Sequence, residues 1–462
     1  MSNTSLAGGG ASPAVPSRLP DTSRLTTFTT SRTDWVVFAL PAVTGLRAQN
    51  GWWPIPLLAV MALIVVMRRQ TARWTLAAGP FLVFAAASGI VLSRPAASPA
   101  WTYQMVLLAF VTVITVFSVM TTDGRTLIAS LIDGLGFFLI VNLAGFLVGL
   151  RSLGAAERTG GIDESTGFIR VFFPFVNALD EATIIAAIVV AATPILIIGD
   201  KHWRWFRVVC VVSGLFVAWA GASRTSLIIA VALPAISILF VSSTRWMAPV
   251  AAVFASFSAL LVPLLTKPAS GIIETLTKFL APGRDTRVGD IETLSNRSKI
   301  WSRSMEFWLN HVRSLPDQLF GFGQYGQIRS GVSLSYSDIL SAVSRHPRTG
   351  TVHNSFLQQL FDGGLVGWLL LTISAVWAGI RLYQRTSDWG VYARAAVVGL
   401  SALLLGSTVG VAITPGNLQT GFLILMFLVA VSCQVPATES EPGSPLQSER
   451  PEPTGAAANR GP

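Results

Sequence analysis

The chain has 462 residues, 52% of them hydrophobic and 12% charged, whereas an average soluble domain has about 25% charged residues; this composition excludes an ordinary soluble protein and predicts one that crosses the membrane several times. The formal net charge of +10 comes mainly from Lys and Arg between apolar runs, where they orient membrane helices, so it does not indicate nucleic acid as a partner. The two cysteines, Cys210 and Cys433, lie in or beside apolar segments, which excludes a disulfide framework and a cysteine-rich metal site.

The apolar runs predict an all-α polytopic membrane protein with about twelve transmembrane helices, at about 20 residues per crossing, and one large extracytoplasmic loop between the ninth and the tenth. Residues 207–243 are interpreted as a hairpin, because a single helix would leave Arg224 near the middle of the membrane at a cost of about 2.5–3.5 kcal/mol. The predicted helices span residues 35–47, 53–67, 76–93, 101–120, 126–150, 180–199, 207–221, 225–243, 247–265, 355–380, 391–413 and 416–434.

The distribution of Lys and Arg among the connections predicts the orientation of the chain. Positively charged loops stay in the cytoplasm, and Arg68, Arg69 and Arg73 fall in one such loop. Both termini are therefore expected in the cytoplasm, and Arg224 and His353 at the outer face. The predicted organisation is a disordered tail over 1–34, nine helices over 35–265, an amphiphilic outer loop over 266–354, three helices over 355–434 and a disordered tail over 435–462.

The outer loop contains a stretch from Glu292 to Phe320 that alternates apolar and polar residues at helical spacing. The residues expected on its apolar side are Ile300, Trp301, Phe307, Trp308 and Leu315. The following Gly321–Gly326 matches the three-glycine pattern of dinucleotide sites, but no strand precedes it, so it is interpreted as a turn. Asp290 and Glu292 could hold a divalent ion or form a flexible surface pair.

Five outer residues could carry chemistry or have a plainer role. Arginine stays charged and binds phosphate oxygens through a planar fork, which makes Arg224 and Arg297 candidate ligands of a lipid pyrophosphate. His353 can act as a base near neutral pH, since the unperturbed pKa of histidine is about 6.5. The plainer roles are a headgroup anchor for Arg224, a solvated face for Arg303, and capping of a helix start by His353 and Asn354.

Three ordered motifs on the predicted outer face match one family. Gly-Ala-Ser-Arg-Thr-Ser at 221–226 looks like a small-Ser-Arg-Thr step between two membrane helices. Asn-Arg-Ser-Lys-Ile-Trp at 296–301 and Leu-Phe-Gly-Phe-Gly at 319–323 look like an Arg-x-x-x-Trp and a Leu-hydrophobic-Gly-x-Gly pattern. His-Asn-Ser-Phe-Leu at 353–357 and Gly-Gly-Leu-Val-Gly at 363–367 look like a His-Asn-x-x-Leu run that ends in Gly-Leu-x-Gly. In these motifs the chain resembles the O-antigen ligase and polymerase family of bacterial membrane proteins.

The resemblance implies a metal-independent glycosyl transfer that needs no cofactor. The donor would be a polyprenyl-pyrophosphate-linked glycan, and the acceptor a hydroxyl of a lipid or glycan at the outer face of the bacterial plasma membrane. By the same resemblance, Arg224 and Arg297 would hold the pyrophosphate and His353 would activate the acceptor. Fixed cations in a poorly hydrated site stabilise the charge of a leaving pyrophosphate. Further substrate contacts are expected from Arg170, Arg303 and Asn354.

The residues leave more than one function open. A ligase and a polymerase of lipid-linked glycan share this chemistry and differ in the acceptor. A transporter or flippase of an anionic lipid-linked substrate would also use many helices and a cationic cavity, although such proteins usually have repeated halves and broken helices. A non-catalytic scaffold of the cell envelope is a weaker alternative.

Overall fold

Helices make up nearly all of the structure. The computed structural model describes residues 33–72, 74–96, 99–150, 162–163, 168–169, 171–176, 178–221, 223–266, 297–341, 347–416 and 418–436. Within those residues the fold is all-α, with eighteen helices and two short pairs of strands. Of the predicted tails only residues 33–34 and 435–436 are described, and Arg170, Asp290 and Glu292 lie outside the described residues.

The described residues up to 266 contain nine helices, each at a predicted position. They are α1 (Trp35–Gly45), α2 (Pro54–Met67), α3 (Gly79–Leu92), α4 (Pro99–Thr121), α5 (Gly124–Leu147), α6 (Leu179–Gly199), α7 (Arg204–Ala220), α8 (Arg224–Leu239) and α9 (Thr244–Thr266). Because α7 ends at Ala220 and α8 begins at Arg224, the hairpin predicted over 207–243 is confirmed.

The described residues after 296 contain nine more helices in two groups. The first group lies in the predicted outer loop and consists of α10 (Arg297–His311), α11 (Leu315–Phe320), α12 (Gly326–Arg329), α13 (Val332–Ser335) and α14 (Ser337–Ser341). The others are α15 (Ser355–Gln384), α16 (Thr386–Trp389), α17 (Val391–Gly406) and α18 (Thr420–Ser432). Strand β1 (Trp74–Leu76) pairs antiparallel with β4 (Gln434–Pro436), and β2 (Ile162–Asp163) with β3 (Phe168–Ile169).

Among the described residues, five helices are long and apolar enough to cross a membrane. These candidate spans are Trp101–Thr121, Gly124–Leu147, Asp180–Gly199, Val241–Leu261 and Ser355–Gln384. Shorter apolar helices cover Trp35–Ala48, Gly79–Leu92, Arg224–Leu239, Val391–Gly406 and Thr420–Ser432. The chain is therefore a multi-pass membrane protein.

Two predicted helices are shorter than expected, and a third is broken. The helix predicted over 391–413 ends at Gly406, and the one predicted over 416–434 begins at Thr420. Between them lies a mostly buried irregular segment, residues 407–419, of which Asn417 is not described. Helix α15 is interrupted at Gly364, where φ is 66° and ψ is −168°. Irregular backbone at membrane depth requires polar partners from the protein, and a hydropathy pattern contains no information about such partners.

The buried hydrophobic residues of the described part of the chain form two clusters. The larger cluster runs through the helix bundle and includes residues of α1–α9, α15, α17 and α18. The smaller one, which we call the outer-loop cluster, consists of Ile300, Trp301, Trp308, Val312, Val332, Tyr336, Leu340, Val352, Leu357, Leu360 and Phe361. The predicted outer loop thus has its own hydrophobic core, and this core is built onto the start of α15.

Charged residues connect the helices at the end of the bundle that lies away from the outer-loop cluster. Asp34 caps α1 by accepting the N–H of Val36 at 3.0 Å, and its other oxygen accepts hydrogen bonds from Arg68 at 3.0 Å and Thr122 at 2.9 Å. One carboxylate therefore joins the start of α1 to the ends of α2 and α4. We call this the Asp34 end of the bundle and the other the His353 end.

Candidate functional site

His353 immediately precedes α15 and has an unusual backbone conformation. Its φ is +53°, in the left-handed region that residues other than glycine seldom occupy, at a cost of about 1–3 kcal/mol. The residue is half-buried. Because strained residues of this kind cluster at functional sites, the backbone supports the choice of His353 as the candidate base.

Asn354 caps α15, which is one of the two roles predicted for it. Its Oδ1 accepts the backbone N–H of Leu357 at 2.9 Å, and its Nδ2 donates to Ser258 Oγ at 2.8 Å and to the Thr408 carbonyl at 3.1 Å. The side chain is fully buried. These protein contacts account for both ends of the amide, so Asn354 is suited to holding the chain next to His353 rather than to contacting a substrate.

Ser355 attaches the start of α15 to the irregular segment 407–419. Its hydroxyl donates to the Gly410 carbonyl at 2.9 Å and accepts the N–H groups of Ala412 at 2.8 Å and Ile413 at 3.3 Å. The backbone N–H of Ser355 also donates to the Ser407 carbonyl at 2.9 Å. The first residue of α15 therefore provides hydrogen-bond partners for buried backbone groups of the irregular segment, which is not helical and does not satisfy them by helical hydrogen bonds.

Helix α10 packs against the residues just before His353. The indole Nε1 of Trp301 donates to the Val352 carbonyl at 2.9 Å, and the ring is fully buried. One helical turn earlier in α10 is Arg297, its first residue. Trp308 packs edge-on against Phe361 of α15, with ring centroids 5.4 Å apart. The helix that begins with Arg297 and the segment that contains His353 are thus held together directly.

The apolar side predicted for residues 292–320 is confirmed for the residues of α10, but the prediction is wrong for Leu315 beyond it. Ile300, Trp301 and Trp308 are buried, and Phe307 packs against the outer-loop cluster. Leu315, by contrast, is 63% exposed. The chain leaves α10 at His311 and starts a new helix at Leu315, so the helical spacing does not continue across the break.

The predicted turn at 321–326 lies against the interruption of α15. The N–H groups of Phe322 and Gly323 each donate at 2.8 Å, to the carbonyls of Phe361 and Asp362 respectively. Gly321 and Gly364 both have φ of +66°, and a Cβ at Gly364 would lie 2.4 Å from the carbonyl of Leu319. The glycines of this pattern therefore allow two backbones to touch, which agrees with the interpretation of 321–326 as a turn.

Arg224 is the first residue of α8, at the tip of the α7–α8 hairpin. Ser223 caps the helix by accepting the N–H of Ser226 at 3.3 Å. The Val171 N–H donates to the Ala220 carbonyl at 3.1 Å, which places Val171 beside the same tip. Arg170 itself lies outside the described residues, so its predicted contact with the donor stays a prediction.

Arg303 has protein partners on the surface of the outer-loop cluster. Its guanidinium donates to the Ser335 carbonyl at 2.9 Å and forms an ion pair with the exposed Asp338. The hydrogen bond from Arg303 holds the pKa of Asp338 below its ordinary value. Nearby, burial raises the pKa of the Tyr336 hydroxyl, which donates to the Gly350 carbonyl at 2.9 Å. These contacts favour the solvated-face alternative for Arg303 over a donor contact.

No protein-family model matches the chain, and no curated protein matches it. Its function must therefore be inferred from the residues and their geometry. Within the described part of the chain, no group of three or more His, Cys, Asp or Glu side chains could hold a metal ion. The predicted alternative metal pair, Asp290 and Glu292, lies outside that part.

A buried ion pair at the His353 end was not predicted from the sequence. Arg47, after α1, pairs with Glu181 in the first turn of α6 at 2.9 Å, and both side chains are nearly inaccessible. Glu181 also accepts the Thr420 N–H at 2.8 Å, and Arg47 donates to the Leu418 carbonyl. The ion-pair partner of Arg47 lies more than a hundred residues away in an apolar helix, so no local pattern could reveal it.

Proposed function

We propose that the protein is a glycosyltransferase of the O-antigen ligase or polymerase type. In this proposal the chain crosses the bacterial plasma membrane about twelve times, at about 20 residues per crossing, with both termini in the cytoplasm and the His353 end outside. It would transfer a glycan from polyprenyl pyrophosphate to a hydroxyl of a lipid or glycan acceptor, and it would use no metal ion.

The observation that carries the proposal is the interlocking of motifs that are far apart in the sequence. Trp301, four residues after Arg297, donates to the carbonyl of the residue before His353 at 2.9 Å. The turn at 321–323 bonds to the backbone of residues 361–362. These motifs are the ones that resemble a single family. Their direct packing is expected if they serve one site and would be a coincidence otherwise.

The proposed reaction is a displacement at the anomeric carbon of the donor. The acceptor oxygen forms a bond to that carbon, the bond between the carbon and the pyrophosphate oxygen breaks, and the acceptor proton passes to neutral His353. The leaving polyprenyl pyrophosphate retains the electron pair, and Arg224 and Arg297 would stabilise its charge. A positioned base of this kind typically contributes about 10²–10⁴-fold to the rate.

The deciding experiment measures transfer by the purified protein supplied with lipid-linked glycan and acceptor. Wild-type protein should release free polyprenyl pyrophosphate, and His353→Ala should reduce turnover by about 10²–10⁴-fold while donor binding persists. His311→Ala, a change of the exposed histidine of α10, is the matched control and should retain turnover. A folded His353→Ala protein with wild-type turnover would remove the base from the mechanism.

The roles of the two arginines are tested with substitutions that remove the charge or change the shape of the side chain. Arg224→Ala and Arg297→Ala should weaken use of the donor, and lysine at either position should rescue it only partly, because lysine keeps the charge but loses the planar fork. Transfer should continue in EDTA. Loss of transfer in EDTA with recovery in magnesium or manganese would instead favour Asp290 and Glu292.

The orientation can be tested without any substrate. Ser330→Cys and Ser440→Cys are introduced separately into a background that lacks Cys210 and Cys433. In intact cells an impermeant thiol reagent should label the cysteine at position 330 and leave the one at position 440 unlabelled. The reverse pattern would place the His353 end in the cytoplasm and contradict the proposal.

One observation favours a transporter or flippase as the second candidate. Helix α15 is interrupted at Gly364, and discontinuous helices often mark the substrate sites of transporters. Reconstituted vesicles separate the two functions. A transporter would move the intact lipid-linked glycan across the bilayer without releasing free polyprenyl pyrophosphate.

A further inference from the structure

Asp362 is a buried carboxylate that the proposed reaction does not use. It lies in α15 two residues before the interruption at Gly364 and is 1% exposed. Among the described residues no Lys, Arg or His forms an ion pair with it. An unpaired carboxylate in such a place is costly, and a residue of this kind within a membrane protein is a candidate for a specific role.

The carboxylate of Asp362 connects α15 to the turn at 321–326. Its Oδ1 accepts the backbone N–H of Gly326 at 2.7 Å and a hydrogen bond from Gln358 Nε2, also at 2.7 Å. Gln358 Nε2 donates in addition to Gln327 Oε1 at 2.5 Å. Because the Asp362 carbonyl accepts the Gly323 N–H, both the side chain and the main chain of this one residue bind the turn.

The section of α15 that bears Asp362 is the one that begins beside His353. It runs from the cap Asn354 to Gly363, and Phe361 joins it to Trp308 of α10. Detaching the turn would remove the hydrogen bonds that cover the interruption and free this short section to shift. The position of α10, which begins with Arg297, relative to His353 would then depend on the contacts of Trp301 and Trp308.

We propose that Asp362 is a positioning residue, whose buried carboxylate accepts hydrogen bonds from the turn at 321–326 and from Gln358 and thereby holds the section of α15 next to His353 against α10. This inference rests on the proposed function for its effect on turnover, but the structural link can be tested without any substrate. The role requires an oxygen acceptor at this position. It requires neither the negative charge nor a transferable proton.

The experiment compares three purified variants. Asp362→Asn keeps an acceptor oxygen, Asp362→Leu keeps volume without an acceptor, and Glu306→Leu changes an exposed acid of α10 as the control. In each, spin labels on cysteines at the exposed positions Ile328 and Leu369 report the distance between α12 and α15. In parallel, kcat and the KM for the donor are measured well below the Tm of each variant.

Asp362→Leu should broaden the distance distribution and lower kcat by about 10²-fold, as expected for a misplaced reacting group, with a smaller change in KM. Asp362→Asn and Glu306→Leu should match the wild type in both measurements. If Asp362→Leu does not fold, Gln358→Met, which removes the bridging amide, should broaden the same distribution. A narrow distribution in the leucine variant, or equal losses of kcat in the asparagine and leucine variants, would overturn the inference. An inactive wild type with the expected distances would contradict the proposed function alone.

Discussion

The helix bundle and the outer-loop cluster are both buried, yet they are held together in different ways. Helices of the bundle satisfy their own backbone groups, and small side chains let them pack closely, as Gly379 of α15 does against Ala248 of α9. Around the outer-loop cluster and the start of α15, side chains satisfy buried carbonyls: Trp301 for Val352, Asn354 for Thr408. Such a carbonyl depends on one side chain. Single substitutions there should therefore cost more than comparable ones in the bundle.

The largest difference is expected between two glycine-to-alanine substitutions. At Gly364 an added Cβ would meet the Leu319 carbonyl, and φ is +66°, so Gly364→Ala should destabilise the protein by about 3 kcal/mol or more. At Gly89, inside α3, an added Cβ meets no atom within 4 Å. Gly89→Ala should therefore stabilise the helix by about 0.5–1 kcal/mol. Thermal unfolding in detergent measures both, and shifts of the same sign would contradict the comparison.

Two helix caps provide the next contrast. Asn354→Ala removes the cap of α15 and leaves Ser258 and the Thr408 carbonyl without this partner, for a total of about 2–4 kcal/mol. Ser223→Ala removes a cap that bonds only within its own turn, for about 1 kcal/mol. The free energy of unfolding of the two variants should differ in this order. Equal losses would mean that the contacts of Asn354 outside α15 contribute little.

A smaller effect should follow from loss of the indole hydrogen bond. Trp301→Phe keeps most of the buried ring and removes the donor to the Val352 carbonyl, so it should cost about 1 kcal/mol and reduce the rate of transfer. Trp219→Phe, in the bundle, changes an exposed ring and should leave both the unfolding temperature and the rate as they are. Full activity of Trp301→Phe would show that this hydrogen bond is not needed to position His353.

The smallest effect is expected at the exposed pair of Arg303 and Asp338, where Asp338→Asn should lower the unfolding temperature at pH 7 only slightly, since exposed ion pairs contribute little. Because Arg303 lowers the pKa of Asp338, any stabilisation by the carboxylate is complete above its ordinary pKa and is lost as the pH falls through the lowered value. Unfolding temperatures recorded from pH 7 to pH 3 should therefore converge for wild type and variant in acid. A clear difference at pH 7 would give this pair a larger role.

The sequence predicted the membrane class, the positions of the helices in the first part of the chain and the hairpin at Arg224, because burial in lipid demands long apolar runs and penalises an isolated charge. It also identified His353 and Arg297 as candidate site residues and predicted the turn at 321–326. It did not predict the irregular segment 407–419, whose composition is apolar and whose backbone is stabilised by Ser355 and Asn354 from another helix.

By itself, then, the amino-acid sequence determined which segments form apolar helices and which residue types lie between them, since both follow from local hydropathy and charge. The tertiary structure alone decided that Trp301 reaches the carbonyl before His353, that Asp362 binds Gly326, and that Arg47 pairs with Glu181. Each of these contacts joins residues that are distant in sequence through hydrogen bonds in buried surroundings. Their formation depends on how the helices pack, and no local pattern specifies that packing.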